Sequence, residues 1–223
     1  MSASSRISRT RSAFTLGLLS TVLFSAPAAA QVLGLPVVNN GVADGLSIAA
    51  DVGFANFEAL TSLSASSATT IGASASIGLG LVGLTGTLAH SLPNLGDNLW
   101  SPGISGTLRL IGGPLIPLRV VLLAGVAHWQ VDSVDYTHVP VSVGFAATIP
   151  LPGFAIKPWI APRLDVLSSS PPVSGSSSES RFGLSGGIEL ELLLGLRVRA
   201  SYDQVFAKQG NPSVFSLGAG FSL

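Results

Sequence analysis

The chain has no cysteine among its 223 residues, which excludes a disulfide framework, thiolate chemistry and cysteine-ligated metals. It is also poor in charge. Eleven Lys and Arg and eleven Asp and Glu make up only 10% of the residues, against roughly 25% in a typical globular domain. A water-facing surface is hard to build from so few charges, and the mean hydropathy is +0.59. Spanning helices are missing too: beyond the first thirty residues the best apolar run, Val120 to Val126, is cut off by His128 and Gln130, well short of the roughly 20 residues a helix needs to cross a bilayer. An apolar exported chain without spanning helices points to the closed β-barrel, in which every backbone amide is paired between strands and lipid is tolerated.

Export is written into the amino terminus. Residues 1–30 read as a cleaved secretory signal, with a cationic start at Arg6, Arg9 and Arg11, an apolar core from Ala13 to Phe24 and a small-residue site at Ala28-Ala29-Ala30. Cleavage is expected before Gln31. No two arginines are adjacent, so the general secretory route is expected rather than the twin-arginine one. Three of the eleven basic residues leave with the leader, so eight remain against eleven acidic ones, formally −3. No basic stripe survives, which argues against a nucleic-acid partner.

Residues 31–43 carry Pro36, Asn39, Asn40 and Gly41 and read as an irregular periplasmic lead-in; residues 44–223 read as the barrel. Alternation begins with Leu46, Ile48, Ala50, Val52 and Phe54 on one face and Ser47, Asp51 and Gly53 on the other, the period of a strand and not of a helix. Further segments repeat it from Ile71, Leu84, Ile104, Leu118, Val139, Ile156, Arg181, Leu196 and Ser216, ten in all. Expected loops at Glu58–Thr69, Ser91–Pro102, Val131–His138, Ser168–Ser180 and Val205–Pro212 are mostly longer and polar. The connections between them, near Leu81, Gly112–Pro117, Pro150–Gly153 and Leu193–Gly195, are short. Long extracellular loops, short periplasmic turns and an even strand number are the signature of an outer-membrane barrel. A secreted soluble β-sandwich adhesin is the alternative reading of the same alternation.

The chain ends Ser216-Leu-Gly218-Ala-Gly-Phe221-Ser-Leu223. This stretch resembles the C-terminal signal of bacterial outer-membrane β-barrels, with Ser216, Gly218, Phe221 and Leu223 at the polar, glycine and two hydrophobic positions; the family most often ends in Phe where this chain has Leu. The resemblance to the small outer-membrane barrel superfamily implies residence in the bacterial outer membrane, lipid as the surrounding partner and recognition of the last strand by the barrel-assembly machinery. No motif specifies a subfamily, and no cofactor or metal is implied.

Most charges fall on the face assigned to the lumen: Asp51, Arg109, Lys157, Arg163, Asp165, Glu189, Glu191, Arg197, Arg199 and Asp203. On the lipid face an Arg or Lys at the bilayer midplane would cost about 2–4 kcal/mol. If Leu192 pairs with Leu196, Glu191 meets Arg197 and Glu189 meets Arg199, and a cross-strand ion ladder is expected. It serves either as a selectivity filter or as an electrostatic plug, the plug being favoured because narrow barrels fill with side chains. Strands one to three line the lumen with Ser, Gly, Ala and Thr instead, leaving open whether arginines fill that space or a narrow aqueous path remains.

His90, His128 and His138 fall near the expected extracellular ends, as do Asp97, Asp132 and Asp135. Omptin-like proteases carry Asp/Asp and Asp/His pairs two residues apart, whereas here the spacings are three. Lipid A deacylases of the small-barrel type place Ser two residues after His, and none of the three histidines is followed so. His90, His138 and Asp135 are candidates for a metal site, with solvated loop residues as the default. Phe54, Phe57, Trp100, Trp129, Tyr136, Phe182, Tyr202 and Phe206 are expected as an aromatic girdle at one rim, Phe154 and Phe221 at the other, and Trp159 as a luminal filler. The resulting expectation is a non-enzymatic barrel, structural or a narrow passive pore, with loops that could bind a ligand; a surface protease or lipid hydrolase at the rim is the alternative.

Overall fold

Alternating side chains along each strand become a wall with two chemically different faces. The computed structural model describes residues 32–43, 45–57, 67–113, 116–170, 176–207 and 211–223; the leader Met1–Ala30 lies outside these. The strands are β1 (Gly45–Asn56), β2 (Ser67–Leu79), β3 (Val82–Pro93), β4 (Leu99–Gly113), β5 (Ile116–Val131), β6 (Val134–Ala147, continued after Thr148 by Ile149–Leu151), β7 (Phe154–Ser170), β8 (Ser177–Leu192), β9 (Leu196–Phe206) and β10 (Ser213–Ser222). Each pairs antiparallel with its sequence neighbour. The ring closes where β1 meets β10, Val52 opposite Leu217. Closure leaves no free edge, so the backbone is satisfied without water.

The outer face is apolar and uncovered. Val52, Ile71, Leu84, Ile160, Ile188 and Leu217 all point outward, the last two 51% exposed. Along β1 and β7 the residues of opposite parity are buried instead. An exterior of this kind is incompatible with water over so large an area and matches the lipid-facing band of a membrane barrel. β5, whose alternation is blurred in sequence, turns Val121, Leu123, Ala127 and Trp129 inward and Leu122 and His128 outward.

Several strands run further than their apolar pattern suggests. The expected loop Ser91–Pro102 contracts to residues 94–98, and Ser168–Ser170 and Ser177–Ser180 belong to β7 and β8, extended by paired serines such as Ser169 and Ser177. The expected loop Val131–His138 is a two-residue turn. Asp132 and Ser133 both have positive φ, 47° and 68°, as a type I′ hairpin requires, and Asp135, Tyr136 and His138 therefore lie in β6. The remainder of the expected loops at Glu58–Thr69, Ser168–Ser180 and Val205–Pro212 falls partly outside the described residues. At the opposite end the connections are short, as at Gly80-Leu81 and Leu193–Gly195. These two ends are called the loop end and the short-turn end below.

The largest departure from expectation concerns residues 32–43. They do not trail outside the barrel as a lead-in but run through its lumen. Val32, Leu33, Leu35, Val37, Asn39 and Val42 are all buried. Val32, Leu33 and Leu35 pack with Phe57, Ala68, Ala89, Ala127, Trp129 and Val214 at the loop end, and Ala43 reaches Gly78 at the short-turn end. Hydrophobic residues that a lead-in would have exposed to water thus supply the core that the lumen wall lacks.

Candidate functional site: the lumen

The luminal segment is held by hydrogen bonds at successive heights. Ser91 Oγ donates to the Leu33 carbonyl at 3.0 Å and the Leu33 amide donates to Ser101 Oγ at 3.2 Å. Lower down, the Val37 amide donates to Asp203 Oδ2 at 3.0 Å. Asn39, 1% exposed, donates through Nδ2 to the Val121 carbonyl and to Ser142 Oγ at 3.2 and 2.9 Å. Asn40 Nδ2 donates to Glu189 Oε2 at 2.9 Å. A segment without regular structure inside a barrel must satisfy its polar groups through side chains, and polar groups of the wall meet it at each of these heights.

The wall is also shaped to admit the segment. A Cβ added at Gly53 would lie 2.2 Å from the Gly34 carbonyl oxygen, one at Gly72 2.3 Å from Leu35 Cδ1, one at Gly144 2.3 Å from the Asn39 carbonyl oxygen and one at Gly78 1.6 Å from the Ala43 carbonyl oxygen. These glycines permit close backbone approach; their role is spatial.

Around the middle of the segment lies a buried ion cluster. The Arg163 side chain is 0% exposed. Its Nε donates to both Asp165 oxygens at 2.8 Å, its two Nη atoms donate to the two oxygens of Asp203 at 2.7 Å each, and Nη1 also meets Ser185 Oγ. Ser185 Oγ donates in turn to Asp203 Oδ2 at 3.1 Å. His138 Nε2 lies 2.9 Å from Asp165 Oδ1. The planar guanidinium matches carboxylates on two sides, which is what makes a fully buried cation tolerable. Arg163 and Asp165 share a face because they are two apart on one strand, and Asp203 arrives from β9.

A second layer sits nearer the short-turn end. The β8–β9 register sets Glu191 opposite Arg197 and Glu189 opposite Arg199, but the ions do not close across those rungs. Arg199 reaches over β10 to Asp51, Nε donating to Oδ1 at 2.9 Å. Glu191 takes Lys157 from the other side at 2.5 Å, and Arg197 stands 3.9 Å from Glu189. The expected ladder is therefore a diagonal network spanning β1, β7, β8 and β9. The cause is visible at Gly218, which has no side chain between Arg199 and Asp51; a Cβ there would sit 2.0 Å from Asp51 Oδ1. Arg109 also faces the lumen, on β4. Between this layer and the hydroxyl-rich wall of β2–β4 remains a polar cavity of about 170 Å³, bordered by Ser74, Ser76, Thr85, Thr107, Arg119 and Arg197.

The histidines separate. His138 is buried in the ion cluster and is not a solvated loop residue, because the hairpin at Asp132-Ser133 pulls it into β6. His90 lies on the outer face against Trp100, ring centroids 4.4 Å apart, and Asp135 is on the outer face 3.5 Å from His128. The barrel wall stands between His138 and the other two, so the metal site of His90, His138 and Asp135 does not form; no metal-binding group occurs among the described residues. The aromatics divide likewise. Phe54, Trp100, Phe182, Tyr202 and Phe206 face outward, whereas Phe57 and Trp129 are buried inside and Trp129 stacks on Tyr136 at 5.9 Å. Trp159 is buried beside Ala146, Ala161 and Val38.

Of the terminal residues, Ser216 is buried in the lumen, Gly218 is beside Asp51, and Phe221 and Leu223 face outward. Sequence reasoning missed the luminal segment altogether. The signal available was the set of glycines at lumen-facing positions of β1, β2 and β6, together with the apolar alternation of Val32-Leu-Gly-Leu-Pro-Val inside a supposed leader-to-barrel linker.

No protein-family model and no curated protein sequence matches the chain. Solved structures do. The β domain of the Bordetella autotransporter BrkA is 15% identical with a TM-score of 0.57, over 81% of this chain and 100% of that one. Neisserial surface protein A is 16% identical with a TM-score of 0.37, over 81% and 98%, and the outer membrane enzyme PagL 14% identical with a TM-score of 0.40, over 79% and 99%. At such identities the likeness is one of fold. With its ten-strand closure and its apolar outer belt, the chain has the fold of a small membrane-spanning β-barrel, the fold it shares with the BrkA β domain.

Proposed function

We propose that this barrel is non-enzymatic and self-sealed: a structural outer-membrane protein whose loop end faces outward, and not an open passive pore. The observation that carries the reading is the course of Val32–Ala43 through the lumen, pinned at mid-height by Asp203 and Asn39. Between them the segment and the Arg163 cluster occupy the lumen at mid-height, leaving beside them the polar cavity of about 170 Å³. The same packing speaks against rim catalysis by the one buried His–Asp pair. His138 and Asp165 are closed off from solvent, and Asp165 already serves Arg163. The outward Phe221 and Leu223 on the last strand support recognition of that strand by the barrel-assembly machinery.

Single-channel recording in planar bilayers tests the seal. Full-length mature protein should give no conductance steps, and a variant lacking residues 32–43 should give discrete ones. Steady steps from the intact protein would replace the sealed reading with the pore.

A further inference from the structure

The luminal segment has a direction as well as a place. Contacts run in sequence order down the barrel: Val32 and Leu33 with the loop-end cluster around Phe57 and Trp129, Leu35 beside Gly53 and Gly72, Val37 at Asp203, Asn39 at Ser142, Asn40 at Glu189 and Ala43 at Gly78. Only then does the chain turn into β1 at the short-turn end. The segment opens with a turn, the Leu35 amide donating to the Val32 carbonyl at 3.3 Å, and its wall contacts pass from Ser91 and Ser101 beside the loop end to Gly78 beside the short turn at Gly80-Leu81. The segment therefore crosses the lumen from one end to the other, and Val32 is at the loop end. A cavity of about 320 Å³, lined by Leu33, Phe57, Asp97, Asn98, Gln130 and Asp132, opens there, next to where the segment begins.

We propose that the mature amino terminus is displayed on the outer side of the membrane, the barrel serving as the passage for its own first residues. This rests on the reading that the loop end faces outward and on cleavage of the expected leader before Gln31. In a barrel whose amino-terminal segment stays outside the lumen, both termini lie on the side where β1 starts and the last strand ends. Here one crossing by the luminal segment separates them: Leu223 stays at the short-turn end, its amide bonded to the Leu46 carbonyl at 2.8 Å, while Val32 is at the other. The consequence is functional. Any peptide joined ahead of Val32 is held at the cell surface by an anchor most of whose residues are buried, and a binding partner outside the cell meets that peptide as well as loops.

The absence of native cysteine makes the test clean. Gly-Cys-Gly inserted between Gln31 and Val32 is probed on intact cells with a membrane-impermeant maleimide, beside Asn98→Cys in a loop and Leu81→Cys in a short turn. Labelling of the insertion at the level of Asn98→Cys, with Leu81→Cys unlabelled until the cells are opened, is expected. If the insertion labels only after opening while Asn98→Cys labels freely, the proposal is overturned. If Asn98→Cys itself labels only after opening, the orientation fails and the proposal falls with it, leaving the seal untouched. A second variant, Leu35→Cys with Gly72→Cys in the otherwise unaltered chain, should form an oxidant-dependent cross-link; a pair that never cross-links in folded, heat-modifiable protein would equally overturn the luminal course.

Discussion

The Val37 amide and the Arg163 guanidinium share the Asp203 carboxylate, at 3.0 Å and 2.7 Å on the same oxygen. One side chain of β9 thus fixes both the luminal segment and the most deeply buried cation of the barrel. Asp203→Ala should remove two supports at once. Among the described residues it leaves Arg163 with the carboxylate of Asp165, and breaking one side of a buried ion pair costs about 3–5 kcal/mol. Urea unfolding in detergent micelles, followed by loss of heat-modifiable migration, should show the midpoint falling accordingly. An unchanged midpoint would mean that the cluster is solvated.

Gly144→Val tests the seal without touching a charge. Its side chain would have to occupy the position of the Asn39 carbonyl, 2.3 Å from an ideal Cβ, and the luminal segment is the softer of the two partners because no strand ladder holds it. Overpacking of this kind typically costs about 1–3 kcal/mol. The expected outcome is a folded barrel with the segment displaced, read as new conductance steps and as protease cleavage within residues 32–43. A variant as silent and as resistant as the parent would show that the wall gives way instead.

How much of this was legible in the sequence follows from which forces are local. The strands were, since two-residue alternation is a property of neighbouring residues; so was the register of β8 and β9, set by the tight turn at Leu193–Gly195. The luminal side of Arg163 and Asp203 followed from the cost of charge in lipid. What escaped depended on contacts far apart in the chain. Asn39 meets Ser142 across 103 residues, and Arg199 meets Asp51 across 148. Pairing these needs the closed ring, which alternation does not describe. His138 was misplaced for a smaller reason: the polar run from Asp132 to His138 looks like a loop, and only the positive φ at two successive residues compresses the turn to Asp132-Ser133.

The outward face predicts a sharp asymmetry between neighbouring positions. Ile188 is 51% exposed on the outer face, near the middle of the outward apolar run from Phe182 to Leu192, and pairs with Ala200 and Pro158. Ile188→Arg should cost about 2–4 kcal/mol in phospholipid bilayers. Ser74→Arg, on the wall of the polar cavity, should cost much less. Reversible unfolding in liposomes of matching thickness measures both. Equal effects at the two positions would mean that the outer face is not in contact with acyl chains.

Substitutions in the last strand can separate its packing from the proposed recognition by the barrel-assembly machinery. Gly218 leaves room for the Asp51–Arg199 pair, so Gly218→Ala acts on the folded barrel: a Cβ 2.0 Å from Asp51 Oδ1 must force the pair apart, and detergent-refolded protein should lose stability. The Phe221 and Leu223 side chains point outward, 38% and 77% exposed. Phe221→Ala and Leu223→Ala, which keeps the bond from the backbone amide of position 223 to the Leu46 carbonyl, should leave the refolded protein little changed, yet lower the amount of heat-modifiable barrel recovered from cell membranes if the terminal strand is the recognition element proposed above. Quantitative gels of membrane fractions against refolding yields in detergent decide it. Equal losses in both would reduce Phe221 and Leu223 to ordinary packing residues, and normal recovery from cells would remove the terminal signal from the account.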